Sequence, residues 1–295
     1  MAFTALEEIL KVCEEREVSF PEAIIQEDMR DRAVSREVTL RQMEDMWGAM
    51  YEASQSYEAN RRSDSGLIGG AGGQMEAYVK EGRSLCGERM GRVMAGALQM
   101  GESNACMKRI VAAPTAGACG VLPAVLVPLY QEGRISRKQV IEALFVAAGI
   151  GQVIASRAFI SGAAGGCQAE IGSASAMAAG ALVCVSGGTG GQMVTAAAIS
   201  LKNLLGLVCD PVAGLVEVPC VKRNVIGAVN AMAAADMALA GIDSRIPPDQ
   251  VIDAMKEVGE AMHVSLRETG VGGLAGTKAG REIFQQLSKK ESAQP

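Results

Sequence analysis

Residues 172–201 read GSASAMAAGALVCVSGGTGGQMVTAAAISL. Alanine, valine and methionine fill two segments of helical length, and the polar cluster Ser186–Gly191 separates them. Small side chains let neighbouring helices approach closely, and no alternation of β-branched and aromatic residues indicates a strand. This stretch therefore predicts closely packed helices joined by a glycine-rich loop.

The same composition, apolar helical segments separated by glycine clusters, continues over most of the chain. Glycine accounts for 35 of 295 residues and aromatic residues for only 3%. From Ser63 onward, glycine clusters interrupt apolar helical segments at 66–73, 117–120, 162–166, 187–191 and 270–276. We therefore predict an all-α fold with a single large helical domain, residues 61–290, whose glycine-rich loops form the functional site.

The ends of the chain differ from this body. Residues 1–60 are more charged and carry apolar residues at helical spacing, which predicts an amphipathic helical segment packed on the body. Ser136 and Gln139 form a capping-box pattern, and Pro247-Pro248 marks another helix start. Residues 291–295 are polar and are expected to form a frayed tail.

Charge and patterning exclude several classes of protein. The net charge is −5 and no basic run occurs, so nucleic-acid binding is not expected. The N-terminal residues lack the pattern of a signal peptide, and the Ala-rich stretches 172–201 and 225–242 contain polar interruptions. These features predict a cytoplasmic protein without a membrane span. Neither a Walker-type phosphate loop nor a dinucleotide-binding glycine pattern is present.

Cysteine is the remaining candidate for chemistry. The single histidine, His263, leaves too few ligands for a conventional zinc site, and no nucleophile-elbow motif occurs. Cys167, Cys209 and Cys220 each lie beside a helix breaker, where loop backbone can approach an inorganic cluster. The alternative interpretation is that these thiols are small buried apolar groups, which we expect for the other five cysteines.

Five segments resemble the alpha subunit of the two-chain, iron–sulfur-dependent L-serine dehydratases. They are APTAGACG at 113–120, GGCQAEIG at 165–172, CDPVAG at 209–214, VPC at 218–220 and ETGVGGLAGTKAG at 268–280. The resemblance covers nearly the whole chain. It implies a [4Fe–4S] cluster held by Cys167, Cys209 and Cys220.

The resemblance also implies a reaction and its participants. The cluster would assist β-elimination of water from L-serine, which gives pyruvate and ammonia. It implies a separate beta subunit and an oligomeric enzyme. Ser63, Thr115 and Lys222 are the candidate catalytic residues, with Lys278 and Glu170 as weaker candidates. This chain has no cysteine near its C-terminus, so capping of the cluster by its own tail is not expected.

Three other functions stay open at this point. A related cluster enzyme could act on another small amino acid, for example as a cysteine desulfidase. A non-catalytic iron–sulfur or redox subunit is a second alternative, although a structural cluster more naturally has four protein ligands. A pyridoxal-phosphate enzyme is the third, and it would need a Schiff-base lysine.

Overall fold

The computed structural model describes residues 3–292, with side chains through Lys290, and this part of the chain is all-α. The helices it contains are α1 (Leu6–Arg16), α2 (Phe20–Arg32), α3 (Arg36–Gln55), α4 (Ala71–Lys80), α5 (Gly87–Ala105), α6 (Val121–Gln131), α7 (Arg137–Arg157), α8 (Gly162–Gly165), α9 (Ser173–Val185), α10 (Gly190–Asn203), α11 (Cys220–Leu239), α12 (Pro248–Ala261) and α13 (Lys278–Ser292). No strand occurs among these residues beyond an isolated bridge between Cys209 and Arg267. The expected tail, 291–295, lies outside the described residues except for the last two positions of α13.

Helix α9 forms the centre of the core and packs against α7, α10 and α11. Every residue from Ser173 to Val183 is buried. A methyl group at Gly180 would lie 2.2 Å from Cδ1 of Ile150 in α7, so the glycine permits this close approach. The small residues that predicted tight helix packing therefore produce it.

Helices α1, α2 and α3 cover one side of this core. Helices α2 and α3 pack on α7, and α1 contacts α12. Their buried apolar residues include Leu6, Ile9, Trp47 and Met50. Asp249 in the first turn of α12 accepts the N–H of Leu6 at 2.8 Å, so it caps the start of α1.

Helix starts follow local sequence signals. The capping box at Ser136 is confirmed, and a second one at Thr189 opens α10. The predicted start at Pro247-Pro248 is also confirmed, because α12 begins at Pro248. These caps satisfy backbone N–H groups that a helix end leaves without partners.

Two helical runs, Arg137–Arg157 and Gln168–Val185, are long and apolar enough to cross a membrane by length and composition alone. This apolar length of α7 was not predicted from the sequence. Most of each run is buried inside the protein, as is usual for the core helices of a globular domain.

Candidate metal centre

The fold brings Cys167, Cys209 and Cys220 together from three separate segments. Cys167 lies between α8 and a π-helical turn at Gln168–Gly172, Cys209 lies in the bridge to Arg267, and Cys220 begins α11. Burial raises the pKa of all three thiols, to about 11 for Cys167 and about 12 for Cys220. The charge of Cys167 further raises the pKa of both Cys209 and Cys220, so the three sulfurs lie within electrostatic reach of one another.

Backbone contacts on both sides fix Cys209. Its N–H donates to the carbonyl of Leu266 at 2.8 Å, and its carbonyl accepts the N–H of Glu268 at 2.7 Å. On the sulfur side, Gly162 approaches so closely that a Cβ there would lie 2.5 Å from Sγ of Cys209. Glycine is therefore required at position 162 to leave room beside the sulfur.

Asn224, one turn after Cys220, fixes the loop that contains Thr115. Its side chain accepts the N–H of Gly120 at 2.8 Å and donates to the carbonyls of Gly117 at 2.8 Å and Cys220 at 3.1 Å. Asn224 is buried. This side chain therefore holds the Thr115 loop against the start of α11.

Arg223 is the cation that α11 directs toward the thiols. It donates to Asp210 Oδ1 at 2.8 Å and to the carbonyl of Val208 at 2.7 Å. Burial lowers the pKa of Arg223, but the neighbouring Cys167 and Asp210 outweigh it and raise that pKa. The preceding residue, Lys222, is exposed and makes no ion pair among the described residues.

Asp210 also holds the glycine-rich loop 270–276. Its Oδ2 accepts the N–H of Leu274 at 2.7 Å. A Cβ at Gly273 would lie 2.4 Å from the same oxygen, so only glycine permits this approach. Asp210 therefore joins the Cys209 segment, α11 and this loop.

A carboxyl group, with a hydroxyl group next to it, lies beside Cys209. Glu170 Oε2 lies 4.0 Å from Cys209 Sγ, and burial raises the pKa of Glu170. The neighbouring Thr115 hydroxyl lowers that pKa, yet Thr115 Oγ1 is buried and makes no hydrogen bond of regular geometry among the described residues. Glu170 forms no ion pair with a cation among the described residues. Buried polar groups without such partners, here the Glu170 carboxyl and the Thr115 hydroxyl, are typical of the lining of a ligand site.

Ser63, the first of the candidate catalytic residues, is buried. Its hydroxyl contacts Glu217 Oε2 at 3.1 Å, three residues before Cys220. Lys278, at the start of α13, is exposed and pairs with Glu282 at 3.9 Å. His263 is exposed and contacts Ser265 at 2.8 Å.

Three free thiols are the donor type that an iron–sulfur cluster takes, so the residues present fit such a group. Among residues 3–290, no three His, Cys, Asp or Glu side chains converge on a point that could hold one ion. A cluster does not require such convergence, because each cysteine binds a different iron. Cys167, Cys209 and Cys220 are free thiols, and Gly162 leaves space beside the sulfur of Cys209. A bound metal would displace the thiol protons.

Sequence reasoning missed two acidic residues of this site, Asp210 and Glu217. Asp210 lies inside the CDPVAG motif, and its only signal is a carboxylate directly after a candidate ligand. Glu217 stands alone between apolar residues just before Pro219-Cys220. A single acidic residue within an apolar run is the sequence signal that could have identified it, because such a run is expected to be buried.

Comparisons with known proteins agree with these motifs. The family model described as "Serine dehydratase alpha chain" matches residues 15–275. The chain is 48% identical over 285 residues to a probable L-serine dehydratase alpha chain of Bacillus subtilis, covering 97% of this chain and 95% of that protein. It is 42% identical over 284 residues to the L-serine dehydratase alpha chain of Peptoniphilus asaccharolyticus, with 96% and 97% coverage.

A longer relative matches over a shorter region. The L-serine dehydratase of Mycobacterium tuberculosis is 47% identical over 184 residues, which are 61% of this chain but only 40% of that protein. The extent of the first two matches and of the family model establishes the relationship. This chain belongs to the serine dehydratase alpha chain family.

Proposed function

We propose that the protein is an L-serine dehydratase, a lyase that eliminates water from L-serine and releases pyruvate and ammonia. Two relatives that this chain matches over nearly their whole length are named as L-serine dehydratase alpha chains, one of them as probable. The observation that carries the proposal is the grouping of three free thiols, two of them buried and one half-buried, from separate segments beside Glu170, a carboxyl group without an ion pair among the described residues. Such a grouping is typical of a reactive centre rather than of ordinary packing.

We propose further that Cys167, Cys209 and Cys220 hold a [4Fe–4S] cluster. When bound by three thiolates, such a cluster supplies one iron without a protein ligand as a Lewis acid for the departing hydroxide. Arg223 supports this set of ligands, because its positive charge lies beside the Cys167 sulfur and favours the thiolate form.

We infer that two loops hold the substrate carboxylate. One is the loop at Ser63 and the other is the loop at Thr115, whose buried hydroxyl has no regular hydrogen bond among the described residues. Free hydroxyl and backbone N–H groups suit a carboxylate ligand. We assign the supporting cation to Arg223 rather than to Lys222, because Lys222 points to solvent.

We propose Glu170 as the group that moves a proton during the elimination. Its carboxyl group lies beside the thiols, and burial raises its pKa toward the range in which a carboxyl exchanges protons readily. Removal of the α-proton and departure of hydroxide both require such a group. The charge of Glu170 raises the pKa of all three thiols, so its carboxyl group lies within electrostatic reach of each cysteine.

We propose that a separate companion chain covers the mouth of this site. The relatives' names designate an alpha chain, and a longer relative carries more than half of its length outside the matched region. Around the cysteine loops lie large apolar side chains that are exposed, namely Val216, Val264, Val271, Leu274 and Phe284. Helix α13, which carries Phe284, packs on the turn Val212–Gly214 beside them. We call these five residues the apolar rim, and we place the assembled enzyme in the cytoplasm.

The decisive experiment is anaerobic purification with iron and sulfide supplied, followed by measurement of metal content and of pyruvate release from L-serine. Both are measured with and without the companion chain. We expect about four irons per chain, with both iron and pyruvate lost in Cys167→Ala, Cys209→Ala and Cys220→Ala. A protein that binds no cluster under these conditions contradicts the cofactor assignment. A protein with a cluster but without pyruvate release contradicts the substrate assignment.

A further inference from the structure

A buried carboxylate, Glu217, joins the Ser63 loop to the segment that leads into Cys220. Its Oε2 contacts the hydroxyl of Ser63 at 3.1 Å and accepts a short hydrogen bond from the hydroxyl of Ser65. Its backbone carbonyl accepts the N–H of Val221 at 3.1 Å, in the first turn of α11. One residue therefore links the loop to the helix that presents a thiol.

Both hydroxyl protons of the loop are used inside the protein. A serine hydroxyl has a single proton to donate. The proton of Ser65 goes to Glu217, and that of Ser63 goes to Glu217 or to Ser65 Oγ, 3.0 Å away. The same oxygens accept the N–H groups of Ile68 and Leu67, at 3.2 and 3.0 Å. Neither hydroxyl has a proton left for a ligand.

A second buried carboxylate, that of Glu102, holds the end of the α3–α4 loop that leads into α4. Glu102 in α5 accepts the N–H groups of Ala71 and Gly72 at 2.7 and 3.1 Å, where α4 begins. It also accepts the hydroxyl of Tyr57 at 2.5 Å. The chain between α3 and α4 is thus fixed at both ends before any ligand binds.

The loop still offers donors to a ligand. The backbone N–H groups of Asp64 and Ser65 donate no hydrogen bond to any described residue. Successive free N–H groups in a loop form a concave site suited to a carboxylate. They lie on the loop that Glu217 fixes through Ser63 and Ser65.

We propose that Glu217 is a positioning residue, which orients Ser63 and Ser65 so that the loop presents the N–H groups of Asp64 and Ser65 to the carboxylate of the amino-acid substrate. This inference rests on the proposed function, because it assumes that an amino acid binds at this loop. Ser63 then helps to hold the loop through its hydrogen bond with Glu217 and does not contact the substrate itself.

The test compares Glu217→Ala, Glu217→Gln, Ser65→Ala and the double variant Ser65→Ala/Glu217→Ala in the cluster-loaded complex. Steady-state kinetics with L-serine, iron content and hydrogen exchange at the Leu67 and Ile68 amides are measured for each. Thr39→Ala is the matched control, since Thr39 also donates to a carboxylate, Asp28, at 2.8 Å, but between α2 and α3.

We expect Glu217→Ala to raise KM for L-serine about tenfold, with a smaller change in kcat and unchanged iron content. Glu217→Gln retains an acceptor oxygen, so its KM should stay within about threefold of wild type. The double variant should be no worse than Glu217→Ala, because both changes break one unit. Loop amide exchange should rise in Glu217→Ala and not in Thr39→Ala.

Several results would overturn the proposal. If Glu217→Gln is as impaired as Glu217→Ala, the charge of Glu217 acts on the substrate directly. If the two single changes add, the Ser65 hydroxyl has an independent contact with the substrate. An unchanged KM places the loop outside the substrate site. If the wild-type complex holds its cluster but does not consume L-serine, the proposed function fails and the carboxylate assignment fails with it, whereas the exchange data still decide whether Glu217 fixes the loop.

Discussion

Arg223 Nη2 donates to Asp210 Oδ1 at 2.8 Å, and this ion pair joins the residue after Cys209 to the helix that begins at Cys220. Both side chains are largely buried, with 14% and 4% of their surfaces exposed. The pair therefore fixes two of the three candidate ligands relative to each other. It also places a positive charge near the third, Cys167.

Breaking this pair should weaken both the fold and the cluster site. Arg223→Ala leaves the buried carboxylate of Asp210 without its cationic partner, a change that typically costs about 3–5 kcal/mol. We expect lower stability in denaturant and faster release of iron to a chelator. Arg36→Ala is the control, because it breaks an exposed ion pair with Glu22 at 2.6 Å and should cost less than about 1 kcal/mol. Equal iron release from Arg223→Ala and wild type would contradict the role assigned to Arg223.

A methyl group at position 162 should block the metal centre. In Gly162→Ala the new Cβ would lie 2.5 Å from Cys209 Sγ and 2.9 Å from Glu170 Oε2, so the sulfur must shift. We expect iron per chain and pyruvate release to fall together. Gly48→Ala has nothing within 4 Å of the new Cβ and lies inside α3, so it should stabilise the protein by up to about 1 kcal/mol. Wild-type iron content in Gly162→Ala would show that the space beside this sulfur is not needed.

Replacing Glu170 tests the proton-transfer assignment. Glu170→Gln keeps the size of the side chain, but it removes the ionisable group. We expect kcat for L-serine to fall about 10²–10⁴-fold with iron content unchanged, since general acid–base catalysis contributes about that much. Metal analysis of the same preparation separates this effect from loss of the cluster. Retention of wild-type kcat would exclude Glu170 as the proton-transfer group.

The buried thiol of Cys119 should make stability depend on alkaline pH. Burial raises its pKa from 9.0 to about 12, so the folded state keeps this proton at pH values where the unfolded chain has lost it. Its contribution is complete below pH 9 and is lost as the pH rises toward 12. Near pH 10.5 the wild type should have lost about 2 kcal/mol more, relative to neutral pH, than Cys119→Ala. Parallel stability curves for the two proteins would contradict this assignment.

Charge on the apolar rim should prevent docking of the companion chain without unfolding this one. Val271 and Phe284 are 67% and 56% exposed, so Val271→Asp or Phe284→Asp should change stability by less than about 0.5 kcal/mol. We expect binding of the companion chain to weaken at least about tenfold, because buried aromatic anchors dominate interfaces. Leu85→Asp is the control, since Leu85 is 97% exposed between α4 and α5. Undiminished binding by both rim variants would place the interface elsewhere.

Local sequence signals were sufficient for much of the fold. The Ala- and Gly-rich run at 172–201 correctly predicted close helix packing, because small side chains limit how far apart two helix axes lie. Ser136 and Pro248 correctly marked helix starts, because the capping of free N–H groups depends on neighbouring residues alone. The apolar length of α7 has no local signature of its own, because a buried core helix and a membrane span pass the same test of length and composition.

The sequence by itself determined the all-α class, the helix starts and, through its motifs, the family, because each depends on residues close together in the chain. The tertiary structure decided which charges surround the three cysteines. Lys222 and Arg223 are neighbours in the sequence, but the 100° turn per residue of a helix sends one to solvent and the other to Asp210. Glu217 meets Ser63 across 154 residues, and no local pattern encodes such a contact, because it forms only when separate helices pack.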